Sequence, residues 1–402
     1  MTNGGLSKAR LDRMHDVMGS YIERGELPGL VTLVSRRGET HVDAIGMQAA
    51  GASTPMRRDT IFRIASLTKP ITAAATMILV EECKLRLDEP VDRLLPELAN
   101  RRVLRRIDGP LDDTLPANRP ISVRDLLTLR LGIGSIMAPP GLYPIQKAIS
   151  EYQIGGDGPP HPSKALGPDA WIAGLGRLPL IHQPGERWMY NIGADVLGVL
   201  IARAAGQPFE AFLRERIFEP LGMRDTGFSV PADKHARLAT SYQADPATGA
   251  LQLYDAAAGG EWSSPPPFQS GAGGLVSTVD DYLAFCRMML NNGKVGNERI
   301  LSRPSVEVMT TDQLTPEQRV GAEVFFRESS SWGLGMAVYI RRDDLSAIPG
   351  RFGWDGGLGT SAYSDPTEDL VGILMTQVSW SSPEGPQIWS DFWTSAYAAI
   401  DD

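Results

Sequence analysis

The 402-residue sequence predicts an α+β fold, an antiparallel sheet flanked by helices with an all-helical part set into it. Three observations carry this. Short β-rich runs gather in the outer thirds of the chain. The middle third shows helical spacing with scarce strand signals and long Pro/Gly connections such as 155–162. Strand patterns then return after Gly271, so the sheet part is interrupted by the helical part and not simply followed by it. The expected organisation is a discontinuous α/β domain, residues 1–84 and 271–402, around a mainly helical domain, residues 85–270. A cleft between two such parts is where a site is expected.

The elements follow in order. Residues 6–24 place Leu6, Leu11, Met14, Val17, Met18, Tyr21 and Ile22 at helical intervals, and Gly25 and Pro28 end the helix. Residues 30–35 and 40–45 are β-rich and joined by Arg36-Arg37-Gly38, a hairpin pattern. Ile61–Ala65 leads into a helix from about Ser66 to Glu82. Helical stretches are expected over 123–129, 170–175, 194–205 and 208–217 and, past Gly271, over 279–290. Strands are expected near 333–340, 360–364 and 370–377, then a last helix carrying Ile388, Trp389, Phe392, Trp393 and Tyr397.

Composition excludes several classes. The chain is 42% hydrophobic and 22% charged, enough to bury a large core. A net charge of −9 argues against nucleic-acid binding, which favours a basic face. No run approaches 18 apolar residues, so no membrane span is expected. The opening MTNGGLSKARLDRMHD lacks the apolar segment of a secretory signal. Cys83 and Cys286 are read as two buried thiols of a cytoplasmic protein. His15, His41, His161, His182 and His235 show no metal-ligand spacing, so no metal is expected.

The chemistry narrows by motif. No G-x-S-x-G, Walker A loop or strand–GxGxxG–helix arrangement is present. One S-x-x-K remains, Ser66-Leu67-Thr68-Lys69, between a strand-like run and an apolar helix. Pro70 is compatible with that helix only if its first turn starts close to Ser66. Three residues apart on a helix, Ser66 and Lys69 share a face. The helix N-terminus and partial burial disfavour the ammonium, so Lys69 can accept the serine proton. An N-cap serine beside an exposed lysine would give the same tetrapeptide. Tyr190 stands just before a helix in PGERWMYNIGADVLG, as a proton-sharing phenol or as a core residue. Gly353-Trp354-Asp355-Gly356-Gly357 permits close approach of the backbone to a ligand, or marks a glycine-rich strand turn.

Together these stretches resemble the serine β-lactamase/penicillin-binding-protein superfamily, and within it the class C-like branch that includes the family VIII carboxylesterases. The resemblance takes in the S-x-x-K helix, Leu126-Leu127-Thr128, the PGE…Y…DVLG stretch, residues 209–227, Gly273–Tyr282 and the WDGG strand. It implies a β-lactamase-like fold with the active site in the cleft. It also implies Ser66 as acylated nucleophile, Lys69 as its base, Tyr190 as the second-motif tyrosine, and an oxyanion hole from the N–H groups of Ser66 and Gly357. Two departures bear on substrate. Ile192 stands where the branch usually has asparagine, and Trp354-Asp355-Gly356 replaces the K/H-T/S-G motif.

Losing a cationic partner for a carboxylate removes an interaction worth about 1.5–3 kcal/mol. An indole in its place favours neutral, apolar groups. The expected substrate contacts are Trp354, Asp355, Gly356 and Ile192. The expected activity is hydrolysis of small-molecule carboxylic esters of small to medium acyl chain through an acyl-enzyme, without metal or organic cofactor. Alternatives within the superfamily are a β-lactamase, D-aminopeptidase or DD-peptidase, and a transesterase, with residues 142–165 as a binding lid for either. A catalytically dead binding protein is the reading from another class.

Overall fold

The computed structural model describes residues 4–155, 159–245, 247–380 and 385–402. β1 (Gly29–Arg36) and β2 (Glu39–Gly46) form the expected hairpin. Its two loop residues, Arg37 and Gly38, both have positive φ, 48° and 81°, matching the right-handed twist of the strands they join. Five strands follow late in the chain: β3 (Ser330–Trp332), β4 (Ala337–Tyr339), β5 (Phe352–Gly356), β6 (Thr360–Asp365) and β7 (Leu370–Thr376). They join the hairpin in one antiparallel sheet, ordered β3-β4-β5-β6-β7-β1-β2, with Leu33 opposite Ile373. The chain's two ends thus build one sheet. The strand expected over 333–340 is instead β3 and β4 with a turn between them. Gly335 at φ 85° passes so close to Ala73 that a Cβ would lie 2.2 Å from that side chain.

Five helices matter most for the site: α1 (Lys8–Glu23), α2 (Thr68–Glu81), α3 (Ile192–Ala205), α4 (Val279–Leu290) and α5 (Gln387–Ala398). α1 and α5 cover one face of the sheet, where Trp393 sits on Gly372 and its indole donates to Ser361 Oγ at 2.9 Å. α4 covers the opposite face, and the turn leading into α2 packs against β5 and β6. α3 lies against α2 and ties the helical part to the sheet part. One apolar core runs from Leu6 to Ala399 and takes in both parts.

The middle third carries helices at Val123–Leu127, Pro144–Glu151, Pro168–Arg177 and Phe209–Leu213, the last continuing through Leu221 by way of a wider turn. It also contains strands that the sequence pattern did not show. Arg102–Leu104 pairs with Thr114–Pro116, and Ser241–Ala244 pairs with Leu251–Asp255. These strands have three to five residues each, too few for a period of two to stand out, and the second pair is completed by Val378–Ser379 from far along the chain. The expected lid over 142–165 contains the Pro144–Glu151 helix, and residues 156–158 lie outside the described residues. Both cysteines are free thiols. Cys286 is buried in α4, whereas Cys83 is exposed, contrary to expectation. It sits just past the end of α2 among charged neighbours, where no core is available to cover it.

Candidate active site

Ser66 lies in a tight turn, Ala65–Leu67, that feeds α2. Ala65 holds φ 46°, an unusual conformation for a residue with a Cβ. The turn is locked from two sides. Thr68 Oγ1 donates to Ala65 O at 2.7 Å, and Thr360 Oγ1 on β6 donates to Ile64 O at 3.1 Å. Pro70 is accommodated because the helix has only just begun, as its position required.

Lys69 is buried, and its ammonium group meets three acceptors: Ser66 Oγ at 2.9 Å, Asn191 Oδ1 at 2.8 Å and Ala272 O at 2.7 Å. Burial lowers its pKa to about 7 against the opposing pull of Asp195. This arrangement fits a base. A neutral amine has two N–H donors and one lone pair. With Asn191 and the Ala272 carbonyl taking the N–H groups, the lone pair is left for Ser66.

Tyr190 precedes α3 and is half-buried against the core. Its oxygen accepts from Trp354 Nε1 at 2.8 Å and lies close enough to Ser66 that both groups favour the phenolate. Burial pushes the phenol up to about 12 despite those two partners, so at neutral pH it carries its proton. The Lys69 nitrogen stands 4.3 Å from the centre of the Tyr190 ring. Phe325 and Trp188 pack on the same ring at 4.9 and 5.6 Å between centroids, and Trp332 meets Trp354 edge-on at 4.8 Å. Ser66 Oγ therefore has an amine on one side and a protonated phenol on the other.

Two groups here escaped the sequence reading. Asn191 is the centre of a γ-turn with φ 83° and ψ −69°, closed by Ile192 N donating to Tyr190 O at 3.3 Å. Such a turn is rare and strained, and strain of this kind gathers at functional sites. It aims the Asn191 side chain at Lys69. The signal available was an asparagine, a residue that tolerates positive φ, placed at a helix start. Asp195, one turn into α3, accepts from Ser270 Oγ at 2.6 Å and from Ala272 N at 3.1 Å. It thereby clamps the segment whose Ala272 carbonyl receives Lys69. Burial raises the Asp195 carboxyl, and the charge of Lys69 opposes that rise.

The expected substrate contacts divide. Ile192 lines a cleft of about 820 Å³ that opens beside Tyr190 and Asn191. Trp354 is buried, and its indole serves the tyrosine. Asp355 does not face the site. Strand alternation turns it to the sheet face covered by α5, where it accepts from Ser361 Oγ at 2.6 Å and Tyr363 Oη at 2.9 Å. Gly356 is a packing position, since a Cβ there would lie 2.1 Å from Thr360 Oγ1 and 2.4 Å from Ile64 O. That close approach brings the hairpin against the Ser66 turn. Gly357 opens the hairpin turn, half-buried, with open space where a Cβ would be.

The role of Asn191 is testable. Asn191→Gly keeps the positive-φ turn available and removes the acceptor. The expected loss is about tenfold to a hundredfold in kcat with little change in KM, the kinetic equivalent of one hydrogen bond to a charged group. Steady-state kinetics would measure it, and a loss confined to KM would contradict the role.

The Beta-lactamase family model matches residues 14–389. Protein Rv1367c of Mycobacterium tuberculosis is 40% identical over 366 residues, 88% of this chain and 87% of the relative. Esterase EstB of Burkholderia gladioli is 30% identical over 399 residues, 94% and 92% of the two chains. Among solved structures, EstCE1, described as a hydrolase with promiscuous acyltransferase activity, has a TM-score of 0.79 at 24% identity, covering 97% and 99% of the two chains. The match reaches from α1 into α5 and so includes the sheet, the helical part and the Ser66–Lys69–Tyr190 cluster between them: the chain belongs to the Beta-lactamase family, a β-lactamase-fold group with esterases and acyltransferases among its relatives.

Proposed function

We propose that this protein is a serine carboxylesterase acting on small-molecule esters of small to medium acyl chain in the cytoplasm. The observation that carries the reading is Ser66 Oγ held at 2.9 Å by a buried lysine whose pKa is lowered to about 7, beside a phenol held by an indole N–H. The named esterase among the relatives supports the ester class. The free thiols, one of them exposed, support a reducing compartment.

In this reading Ser66 Oγ attacks the ester carbonyl while its proton passes to neutral Lys69. The resulting oxyanion is held by the N–H groups of Ser66 and Gly357. Tyr190, protonated at rest, gives a proton to the departing alcohol and recovers one from Lys69. Water then takes the alcohol's place, is deprotonated by the same pair, and releases the acid from Ser66. Each step conserves protons between substrate, lysine and phenol, so no cofactor enters. The indole N–H steadies the phenol oxygen when its proton is away.

The test compares p-nitrophenyl butyrate with nitrocefin, using wild type and Ser66→Ala. Rapid turnover of the butyrate, little of nitrocefin, and loss of both in the variant is the expected pattern. Efficient nitrocefin hydrolysis would favour a β-lactamase, and activity surviving in Ser66→Ala would overturn the nucleophile. The acyltransferase activity named for EstCE1 favours transesterification as a second reading. It would show as an ester of an added alcohol forming at the expense of the free acid.

A further inference from the structure

The cleft beside Tyr190 is larger than a short ester needs, and one wall of it is apolar while Gln146 and Ser150 add polar groups. At about 820 Å³ it lies near the upper end of the roughly 300–1,000 Å³ range in which sites bury most of a drug-sized ligand. Ile136, Met137, Ile149, Ile192 and Val324 supply its apolar wall, and Glu323 is the ionisable side chain among its lining residues. Among the described residues, no lysine or arginine lines it. The Glu323 carboxylate lies at the exposed rim and accepts from Gly321 N at 3.0 Å. A ligand anion entering this cleft would lose its water without gaining a cation, which is strongly unfavourable.

A second observation extends the apolar surface outwards. Met137, Leu142 and Tyr152 on one bordering segment, and Val320 and Val324 on the other, are exposed large hydrophobic residues. Met137 and Leu142 are more than half exposed. Single exposed apolar residues are ordinary, but a group on two segments that border one cleft marks a binding surface.

The cleft is also joined to the reacting groups. Ser135, on its wall, donates its backbone N–H to Tyr190 O at 2.9 Å. The wall at 321–324 leads directly into Phe325, which packs on the Tyr190 ring. Asn191, which holds Lys69, lines it as well.

Building on the ester reading above, we infer that the preferred substrate is an uncharged ester carrying one bulky apolar group, seated in the cleft between the 134–155 and 321–324 segments. That group belongs either to the acid or to the alcohol, and both present the same chemistry to the wall.

The experiment uses purified protein and two ester series. One keeps a butyryl acyl group and enlarges the alcohol from ethyl to a fused-ring alcohol. The other keeps p-nitrophenol and enlarges the acyl group from butyryl to a branched or ring-bearing acyl. A rise in kcat/KM of at least tenfold along either series is expected and says which side the cleft serves. No rise along either overturns the inference. p-Nitrophenyl hemisuccinate is expected to react at least tenfold less efficiently than p-nitrophenyl butyrate, and equal rates would also overturn it.

Ile149→Trp and, at the more exposed rim, Val324→Trp fill the space. Each is expected to lower the ratio of bulky-ester to butyrate kcat/KM at least tenfold, and an unchanged ratio in both contradicts the assignment. Failure of the ester reading looks different, since butyrate hydrolysis itself would then be absent or would survive Ser66→Ala.

Discussion

Lys69→Met is expected to lower kcat/KM for p-nitrophenyl butyrate by about 10²–10⁴, the usual contribution of a positioned general base. Methionine keeps the apolar stem in the buried channel between α2 and α3 and removes the amine that meets Ser66, Asn191 and Ala272. The pH profile is the companion measurement. Burial lowers Lys69 to about 7. As pH falls through that value the amine gains a proton and loses the lone pair aimed at Ser66. Activity is therefore expected to rise with pH to a plateau above about 7 and to fall tenfold per unit well below it. The opposite limb lies near the phenol, pushed up to about 12. Asp195→Asn removes the negative charge that favours the ammonium, so the acid limb is expected to move to lower pH. A profile flat between pH 5 and 8, or a Lys69→Met variant of undiminished activity, would remove Lys69 from the base role.

Arg63→Met is expected to be the most damaging change to stability, about 3–5 kcal/mol, because it leaves a buried carboxylate without its cation. Arg63 and Asp255 are both buried. The guanidinium donates from Nε to Asp255 Oδ2 at 2.6 Å and from its other nitrogens to Ala239 O at 2.5 Å and Ala256 O at 3.1 Å, lying 5.4 Å above the Trp262 ring. Asp255 Oδ1 in turn accepts from Glu261 N at 2.6 Å. The pair ties the short Phe62–Arg63 strand, immediately before the Ser66 turn, to the loop at 255–261. Urea unfolding would show the loss as a lower midpoint at similar slope. In a double-mutant cycle with Asp255→Asn, the combined loss should be smaller than the sum of the single losses. Strict additivity would show that the two do not act as a pair.

The elements that were legible in the sequence are those whose cause is local. α4 ends where its apolar spacing ends, the 29–46 hairpin turns where Arg37-Gly38 permits positive φ, and α5 follows its tryptophan and tyrosine spacing. Ser66 and Lys69 could be placed on one helix face because a three-residue separation carries its geometry with it. Pro70 fixed how close the serine had to lie to the helix start.

What the pattern could not show depends on partners distant in the chain. The strands at 102–116 and 241–255 are too short to declare a period, and the second pair forms against residues near 378. Asp355 reads as a site residue because it sits between Trp354 and Gly356, but alternation along β5 sends it to the other face of the sheet. The Trp354 indole serves Tyr190 Oη, 164 positions away. Asn191 reaches Lys69 across 122 positions, and Ala272 does so across 203. Local spacing and composition in the sequence set the α+β class and put Ser66 beside Lys69 at a helix start, while their roles as nucleophile and base are what the family resemblance implies. Only the tertiary structure decided which acceptors aim the lysine, which groups hold the phenol, and how large and apolar the cleft beside them is. Desolvation and hydrogen-bond direction arise when separate elements pack together, and no single stretch of chain encodes either one.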